Sequence, residues 1–96
     1  MVEKERGSDE ERFNKVAMNL VMSGFSQALM GVGMAATFGH KKHPDEKWKE
    51  MSVEQHLDAM YRHLLVEGPD EESGLPNLYH AAWRLLAALE RFEEGE

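Results

Sequence analysis

The stretch that decides the fold is residues 52–69, which read SVEQHLDAMYRHLLVEGP. Ser52 and Gln55 have the capping-box spacing that opens a helix. Gly68 can adopt the left-handed conformation after the last turn, and Pro69 prevents the helix from continuing. At helical spacing, one apolar face consists of Val53, Leu57, Met60 and Leu64. The stretch therefore predicts an amphipathic helix with one buried face and a sharp end.

A second helix is predicted after the loop that follows. Pro76 is favoured at a first helical position, and the helical pattern continues to about Phe92. We expect its core face to consist of Leu78, Ala82, Leu85 and Leu89. His80 and Arg84 lie on a polar stripe beside that face. Because they are four residues apart, they can reach the same ligand.

The N-terminal half predicts two further helices. A capping-box pattern at residues 8–11 opens a helix through about Met22, and Ser23-Gly24 interrupts it. The next helix is predicted from about Ser26 to His40, and Pro44 ends it. The small residues of this helix that would let a neighbouring helix approach closely are Gly31 and Gly33.

These patterns predict an all-α fold, a compact bundle of about four helices. We expect a flexible polar leader at residues 1–7, a single helical domain at residues 8–93 and an acidic tail at residues 94–96. A chain of 96 residues buries a modest share of its surface, so we expect homo-oligomerisation to complete the bundle.

Composition and charge exclude several classes of protein. The net charge of −7 argues against nucleic-acid binding, which depends on basic side chains. No apolar run is long enough to span a membrane, the start lacks a signal-peptide pattern, and there is no cysteine. We therefore expect a cytoplasmic protein that binds neither nucleic acid nor membrane.

Basic residues are concentrated in one segment of this acidic chain. Four lysines and two histidines fall within residues 40–49. Such a cluster can form a local anion site despite the overall negative charge. The alternative is a solvated lysine-rich connection, and the spacing alone does not decide between the two.

Acidic residues are concentrated in the loop between the two best-defined helices. The four carboxylates between His63 and His80 are Glu67, Asp70, Glu71 and Glu72. A hard divalent cation such as Mg²⁺ would relieve their repulsion and bridge to phosphate oxygens. The alternative is a solvated acidic turn. Ser73 lies in the same loop without a sequence context that indicates a nucleophile.

The order of several short motifs resembles one known family. The motifs are Phe38-Gly39-His40-Lys41-Lys42, Trp48, Asp58, Arg62-His63-Leu64, Asp70, Glu72-Ser73-Gly74-Leu75-Pro76, Leu78 and His80-Ala81-Ala82. Over about residues 12–90 the chain is similar to the phage-borne dATP/dGTP diphosphohydrolases, related in function to the MazG-type all-α nucleotide pyrophosphohydrolases. The resemblance implies a metal-dependent enzyme that splits a purine nucleoside triphosphate into monophosphate and pyrophosphate.

The resemblance and the clustered side chains together suggest roles for individual residues. The hypothesis assigns Mg²⁺ (or Mn²⁺) to Glu67, Asp70 and Glu72. It assigns proton transfer at the reacting phosphate to His63, Glu72 and His80. The residues expected to bind the purine nucleotide are Lys41, Lys42, Trp48, Arg62 and Arg84.

Departures from the family pattern leave other functions open. Val66-Glu67-Gly68 replaces a Gly-Glu-Asp segment, His43 replaces a tyrosine and Asn77 replaces a histidine. Loss of one acid and one histidine suggests a catalytically silent phage protein that sequesters a nucleotide, for example a defence signal. A third hypothesis is a helical adaptor, whose interface would contain Trp48, Tyr61, Tyr79 and Trp83.

Overall fold

The computed structural model describes residues 15–95, which form four α-helices and one 3-10 turn. They are α1 (Met18–Gly24), α2 (Ser26–Lys42), the 3-10 turn (Lys47–Glu50), α3 (Val53–Leu64) and α4 (Asn77–Glu93). This range contains no β-strand, which confirms the predicted all-α class with about four helices. The predicted leader, the capping box at residues 8–11, the resemblance at residues 12–14 and the end of the tail at Glu96 lie outside the described residues.

Helices α3 and α4 form the central antiparallel pair. The predicted capping box is present, since Ser52 Oγ accepts from the Gln55 backbone N–H at 3.1 Å and Gln55 Oε1 accepts from the Ser52 backbone N–H at 2.8 Å. Gly68 has the predicted left-handed conformation, with a φ of 82°. The predicted helix end is wrong, because α3 ends at Leu64 and Gly68 lies in the loop rather than directly after the last turn. The connecting loop is closed by an isolated antiparallel bridge between Pro69 and Pro76.

One amide side chain fastens the start of α4 to the end of α3. Pro76 has an extended backbone with a ψ of 138°, so it precedes α4, and the first helical residue is Asn77 rather than Pro76. Asn77 is buried. Its Nδ2 donates to the Gly68 carbonyl at 2.9 Å, and its Oδ1 lies 2.7 Å from His63 Nδ1. The two helices are therefore joined by polar bonds as well as by packing.

The first predicted helix is shorter than expected in its described part. Residues 15–17 are not helical, and α1 begins at Met18 after Ala17, which has a non-helical ψ of 77° and no side chain able to cap the helix. The predicted interruption occurs at Phe25, one residue after Gly24, where ψ is 33°. Helix α2 then continues two residues beyond the predicted end, to Lys42.

The predicted core face of α4 is wrong. Leu78 is 69% exposed, and Leu85 and Leu89 are each 51% exposed. The buried apolar residues of the described chain are all alanines, namely Ala35, Ala59, Ala81, Ala87 and Ala88. Small side chains let helix backbones approach closely, so the alanine rows occupy the helix contacts and the leucines lie beside them. Periodicity identified an apolar face but could not show which face lies inside.

Gly31 allows α2 to pack closely against α4. A Cβ at this position would lie 2.8 Å from two ring carbons of Tyr79, which is closer than real Cβ atoms approach. The predicted close approach is thus confirmed for Gly31. Apart from its own helix backbone, a Cβ at Gly33 would have no neighbouring atom within 4 Å. Among the described residues, no close contact is therefore seen at Gly33.

These two glycines give a matched test of the α2–α4 contact. We expect Gly31→Ala to lower the free energy of unfolding by about 1–3 kcal/mol, because the methyl group overpacks the contact with Tyr79. Gly33→Ala should raise it by about 0.5–1 kcal/mol, because alanine loses less entropy in a helix. Urea unfolding of both variants measures the difference. Equal stability of the two would contradict the observed contact.

Large apolar side chains remain on the surface of α1 and α2. Those exposed by 41% or more are Val16, Met18, Leu20, Val21, Met22, Phe25, Met30 and Met34. Residues 16–39 contain no Asp, Glu, Lys, Arg or His, although the whole chain has a net charge of −7. Large exposed apolar surface is typical of interaction sites. An uncharged face is also where two copies with the same net charge can meet without repulsion.

No single helix in residues 15–95 is long and apolar enough to cross a membrane. Helices α1 and α2 together would be long and apolar enough, but they are bent by 82° at their junction.

We expect the uncharged, exposed surface of α1 and α2 to be covered by a second copy of the chain. Sedimentation velocity should then show a dimer or larger assembly, and Met30→Lys should shift it towards the monomer, because the new charge would be buried at the contact. Glu54→Lys, which changes an exposed charge on α3, serves as the control. A wild-type protein that is folded and monomeric would contradict this expectation.

Candidate functional site

Two adjoining cavities lie between the end of α2, the 3-10 turn and α4. The larger has a volume of about 690 Å³, and we name it the aromatic cavity after Trp48 and Trp83 in its wall. The smaller, of about 160 Å³, is named the acidic cavity after Asp70 and Glu72. Both cavities are lined by Gly39, His43, Trp83 and Arg84. The two cavities therefore share part of their lining, and we refer to them together as the cleft.

The aromatic cavity offers a flat apolar surface beside basic groups. Trp48 and Trp83 pack edge to face, with their ring centroids 5.4 Å apart. Lys41 and Lys47 also line this cavity. Aromatic walls with a few polar groups are typical of sites that bind a ring-containing ligand.

A serine and a histidine meet beside the acidic cavity. Ser73 Oγ lies 2.7 Å from His80 Nε2 and accepts from the Leu75 backbone N–H at 3.1 Å. The Ser73 backbone N–H donates to Asp70 Oδ2 at 2.8 Å, and the same oxygen lies 3.9 Å from His80 Nε2. The sequence did not reveal this pairing, because Ser73 and His80 meet only when the loop closes.

The environment of this cavity shifts the pKa of two groups. The Ser73 backbone N–H is the main cause that lowers the pKa of Asp70, so this carboxylate is ionised at neutral pH. Burial is the main cause that lowers the pKa of His80, and repulsion from His63 lowers it further. His80 is therefore neutral at neutral pH and able to accept a proton.

The tautomer of His63 follows from its partner. Asn77 Nδ2 donates to the Gly68 carbonyl, so Asn77 Oδ1 is the atom that faces His63 Nδ1 at 2.7 Å. An amide oxygen can only accept, so Nδ1 of His63 carries a hydrogen, and in the neutral ring Nε2 is the nitrogen with the lone pair. The ring stacks on His80 with centroids 4.9 Å apart. Two adjacent imidazoles thus line the acidic cavity.

Lys42 and Glu72 form an ion pair across the mouth of the acidic cavity. Lys42 Nζ at the end of α2 donates to Glu72 Oε2 in the loop. Both side chains are exposed, so the pair contributes little to stability. It nevertheless brings the last turn of α2 to the acidic loop.

Arg84 is the cation at the junction of the two cavities. Its guanidinium donates to His56 Nδ1 at 2.9 Å and to Met51 Sδ at 3.6 Å, and it stacks on Trp83 with Cζ 5.4 Å from the ring centroid. Burial lowers its pKa, and repulsion from Arg62 lowers it further. Among residues 15–95 no carboxylate lies within ion-pair distance of it. A partly buried guanidinium with neutral partners is well suited to bind an anion.

The structure brings most of the predicted site residues into this cleft. Lys41 and Trp48 line the aromatic cavity. Arg84 lines both cavities, and the others that line the acidic cavity are Lys42, His63, Asp70, Glu72 and His80. Trp83, which sequence reasoning considered only as part of a partner interface, also lines both.

Glu67 and Arg62 are not among the residues that line the cleft. Both are exposed and line neither cavity. Helix α3 ends at Leu64, so Glu67 lies beyond the helix that contains His63. In the described part of the chain, no group of three or more His, Asp or Glu side chains is arranged to hold a metal ion.

Comparison with known proteins gives one match. The family described as "dATP/dGTP diphosphohydrolase, N-terminal" matches residues 5–96. No curated protein matches the chain, and no solved structure matches it. The family match agrees with the resemblance drawn from the motifs.

The lowered pKa of His80 predicts a dependence of stability on pH. Its ordinary value is 6.5, so as the pH falls below about 6.5 the unfolded chain binds a proton more readily than the folded one. The free energy of unfolding should therefore decrease from about pH 7.5 to about pH 5.5, and less so in His80→Gln. Urea unfolding at both pH values measures this. An equal decrease in the two proteins would contradict the assignment.

Proposed function

The chain belongs to the dATP/dGTP diphosphohydrolase N-terminal family, and from that premise we propose that it hydrolyses purine deoxynucleoside triphosphates to monophosphate and pyrophosphate. The observation that carries the proposal is the position of Arg84. This cation lacks a carboxylate partner in residues 15–95 and lies at the junction of the aromatic cavity and the acidic cavity.

The proposed substrate position follows from the chemistry of the two cavities. The purine base occupies the aromatic cavity against Trp48 and Trp83, where stacking on an aromatic ring contributes roughly 1–3 kcal/mol. The phosphates extend past Arg84 towards Lys41 and Lys42. The cavity volume of about 690 Å³ lies in the range of small-molecule sites.

The proposed reaction is attack of water on the α-phosphorus. A water oxygen forms a bond to this phosphorus, the bond to the bridging oxygen of the β-phosphate breaks, and pyrophosphate leaves with that electron pair. His63 is the better candidate to take the proton from water, because Nδ1 is bound to Asn77 and Nε2 has the lone pair. His80 is the second candidate, since burial keeps it neutral.

A divalent cation, Mg²⁺ or Mn²⁺, is part of the proposal. Mg²⁺ is commonly held by one or two carboxylates together with substrate phosphates, rather than by a cage of protein ligands. Asp70 and Glu72, which both line the acidic cavity, fit that arrangement and would hold the cation. When bound, such a cation would neutralise phosphate charge and stabilise the transition state.

Capture of a nucleotide without hydrolysis is the second candidate function. It is supported by the ion pair between Glu72 and Lys42, because this pair engages a carboxylate that the enzyme proposal assigns to the cation. Asn77, where the family has a histidine, is used to fix His63 rather than to act on a ligand. A sequestering protein would use the aromatic cavity and Arg84 in the same way.

One assay separates the two functions. The protein is incubated with dATP or dGTP in the presence of Mg²⁺ or of a chelator, and the products are resolved. Monophosphate and pyrophosphate that form only with the metal support the enzyme. Unchanged nucleotide with measurable affinity supports the sequestering protein. A protein with no affinity for either nucleotide would refute both and leave the adaptor hypothesis.

Replacement of Arg84 tests the site itself. Arg84→Gln should weaken nucleotide binding about tenfold or more, because a charge-assisted bond to phosphate is lost. Arg91→Gln is the matched control on the same helix, since Arg91 bonds to the Met51 carbonyl and Glu94 and lines neither cavity. Calorimetric titration of both variants gives the affinities. Equal affinities would exclude Arg84 from the site.

A further inference from the structure

His56 lies directly behind the cleft and is the most deeply buried large side chain of residues 15–95. Its exposed fraction is 0%, and every buried apolar residue in that range is an alanine. The ring packs edge to face against both tryptophans of the aromatic cavity, with centroids 6.2 Å from Trp48 and 6.1 Å from Trp83. It does not line either cavity. His56 therefore supports the wall of the site without facing a ligand.

The hydrogen bonds of His56 define a single tautomer. Nε2 lies 2.9 Å from the Trp48 carbonyl oxygen, which can only accept, so Nε2 carries the hydrogen. Nδ1 lies 2.9 Å from an Nη1 of Arg84, which can only donate, so Nδ1 provides the lone pair. A doubly protonated ring would place an N–H against the guanidinium. The geometry is thus that of a neutral imidazole with both nitrogens bound.

This choice of partner leaves the charge of Arg84 available. Two other cations near the cleft have carboxylate partners, since Lys42 pairs with Glu72 and Lys49 with Glu46. A carboxylate in the position of His56 would hold Arg84 equally well but would also neutralise it. A neutral acceptor fixes the direction of the guanidinium and leaves its full charge to attract an anion.

The same ring connects Arg84 to the aromatic wall. The backbone carbonyl that His56 holds belongs to Trp48, in the 3-10 turn. Trp83, on which Arg84 stacks, also packs edge to face against the His56 ring. The cation and both aromatic side chains are thus placed relative to one another through one buried side chain.

We propose that His56 is a positioning residue, which as a neutral acceptor aims the uncompensated charge of Arg84 at the phosphate chain of a nucleotide and keeps Trp48 in place against the base. The identity of the anion as a nucleotide rests on the proposed function. The pairing of His56 with Arg84 does not rest on the proposed function, and neither does the effect of this pairing on an anion in the cleft.

The first test uses the unaltered protein. Long-range ¹H–¹⁵N NMR spectra distinguish the two neutral tautomers and the protonated form of a histidine ring. At neutral pH we expect His56 to be protonated at Nε2 only. A ring protonated at Nδ1, or at both nitrogens, would overturn the proposal without any need for a variant that folds.

The second test uses two variants, each of which keeps the hydrogen bond made by one nitrogen of the His56 ring. Asn places an oxygen near the position of Nδ1, so His56→Asn keeps an acceptor for Arg84. Gln places its amide near Nε2, so His56→Gln keeps the bond to the Trp48 carbonyl. The affinities for inorganic tripolyphosphate and for dGTP are measured by calorimetry, and the stabilities by urea unfolding. We expect His56→Gln to lose roughly tenfold in tripolyphosphate affinity and His56→Asn to stay within about threefold of wild type.

A double-mutant cycle shows whether His56 acts through Arg84. In an Arg84→Gln background, His56→Gln should change tripolyphosphate affinity by less than about twofold, although its effect on stability persists. Losses that add in the double variant would overturn the proposal, because they would show a general structural effect. Equal losses for the Asn and Gln variants would overturn it as well.

The same measurements separate this proposal from the proposed function. If the wild type hydrolyses dGTP but the cycle is additive, the positioning role fails and the function stands. If the cycle is non-additive for tripolyphosphate but the wild type has no affinity for dATP or dGTP, the function fails and the positioning role stands. A wild type that binds none of these anions would refute both.

Discussion

The close approach of α3 and α4 through alanine side chains is the constraint on which the rest of the structure depends. Ala59 on α3 and three alanines of α4 are buried, while the leucines beside them are exposed. Because little apolar volume separates the helices, the large apolar side chains are displaced to the edges of the pair, whereas the large side chain that is fully buried is the polar His56. On one edge, aromatic and polar side chains form the cleft. On α1 and α2, exposed apolar side chains remain without cover in the described chain.

Besides the alanine packing, buried polar side chains fix the positions of the functional groups. Asn77 joins the start of α4 to Gly68 and fixes the tautomer of His63, and His56 fixes the direction of Arg84. In each case a neutral group orients a functional one without changing its charge. A cleft built in this way can keep an unneutralised guanidinium next to two proton acceptors inside a chain with a net charge of −7.

Local sequence signals predicted the parts of the fold that local physics determines. The capping box at Ser52 and the left-handed Gly68 could be predicted because each depends on residues a few positions apart. The inward face of α4 could not, since it depends on which neighbour offers the closest fit. Arg84 could be predicted to lie near His80, because the two residues are one helical turn apart. Ser73 was missed because the bridge between Pro69 and Pro76 brings it to His80, and Glu67 was placed wrongly on a helix that ends at Leu64.

The ion pair between Lys42 and Glu72 bears on both proposed functions. In the absence of a ligand the two charges neutralise each other at the edge of the acidic cavity. A nucleotide that arrives with a divalent cation offers each of them a new partner, phosphate for Lys42 and the cation for Glu72. Breaking an exposed pair costs only about 0–1 kcal/mol, so this exchange requires little energy. A nucleotide without a cation would draw Lys42 away and leave Glu72 as an unpaired negative charge beside the phosphates. We therefore propose that the site takes up a nucleotide together with a divalent cation in preference to the free nucleotide, whether the bound molecule is then hydrolysed or only retained.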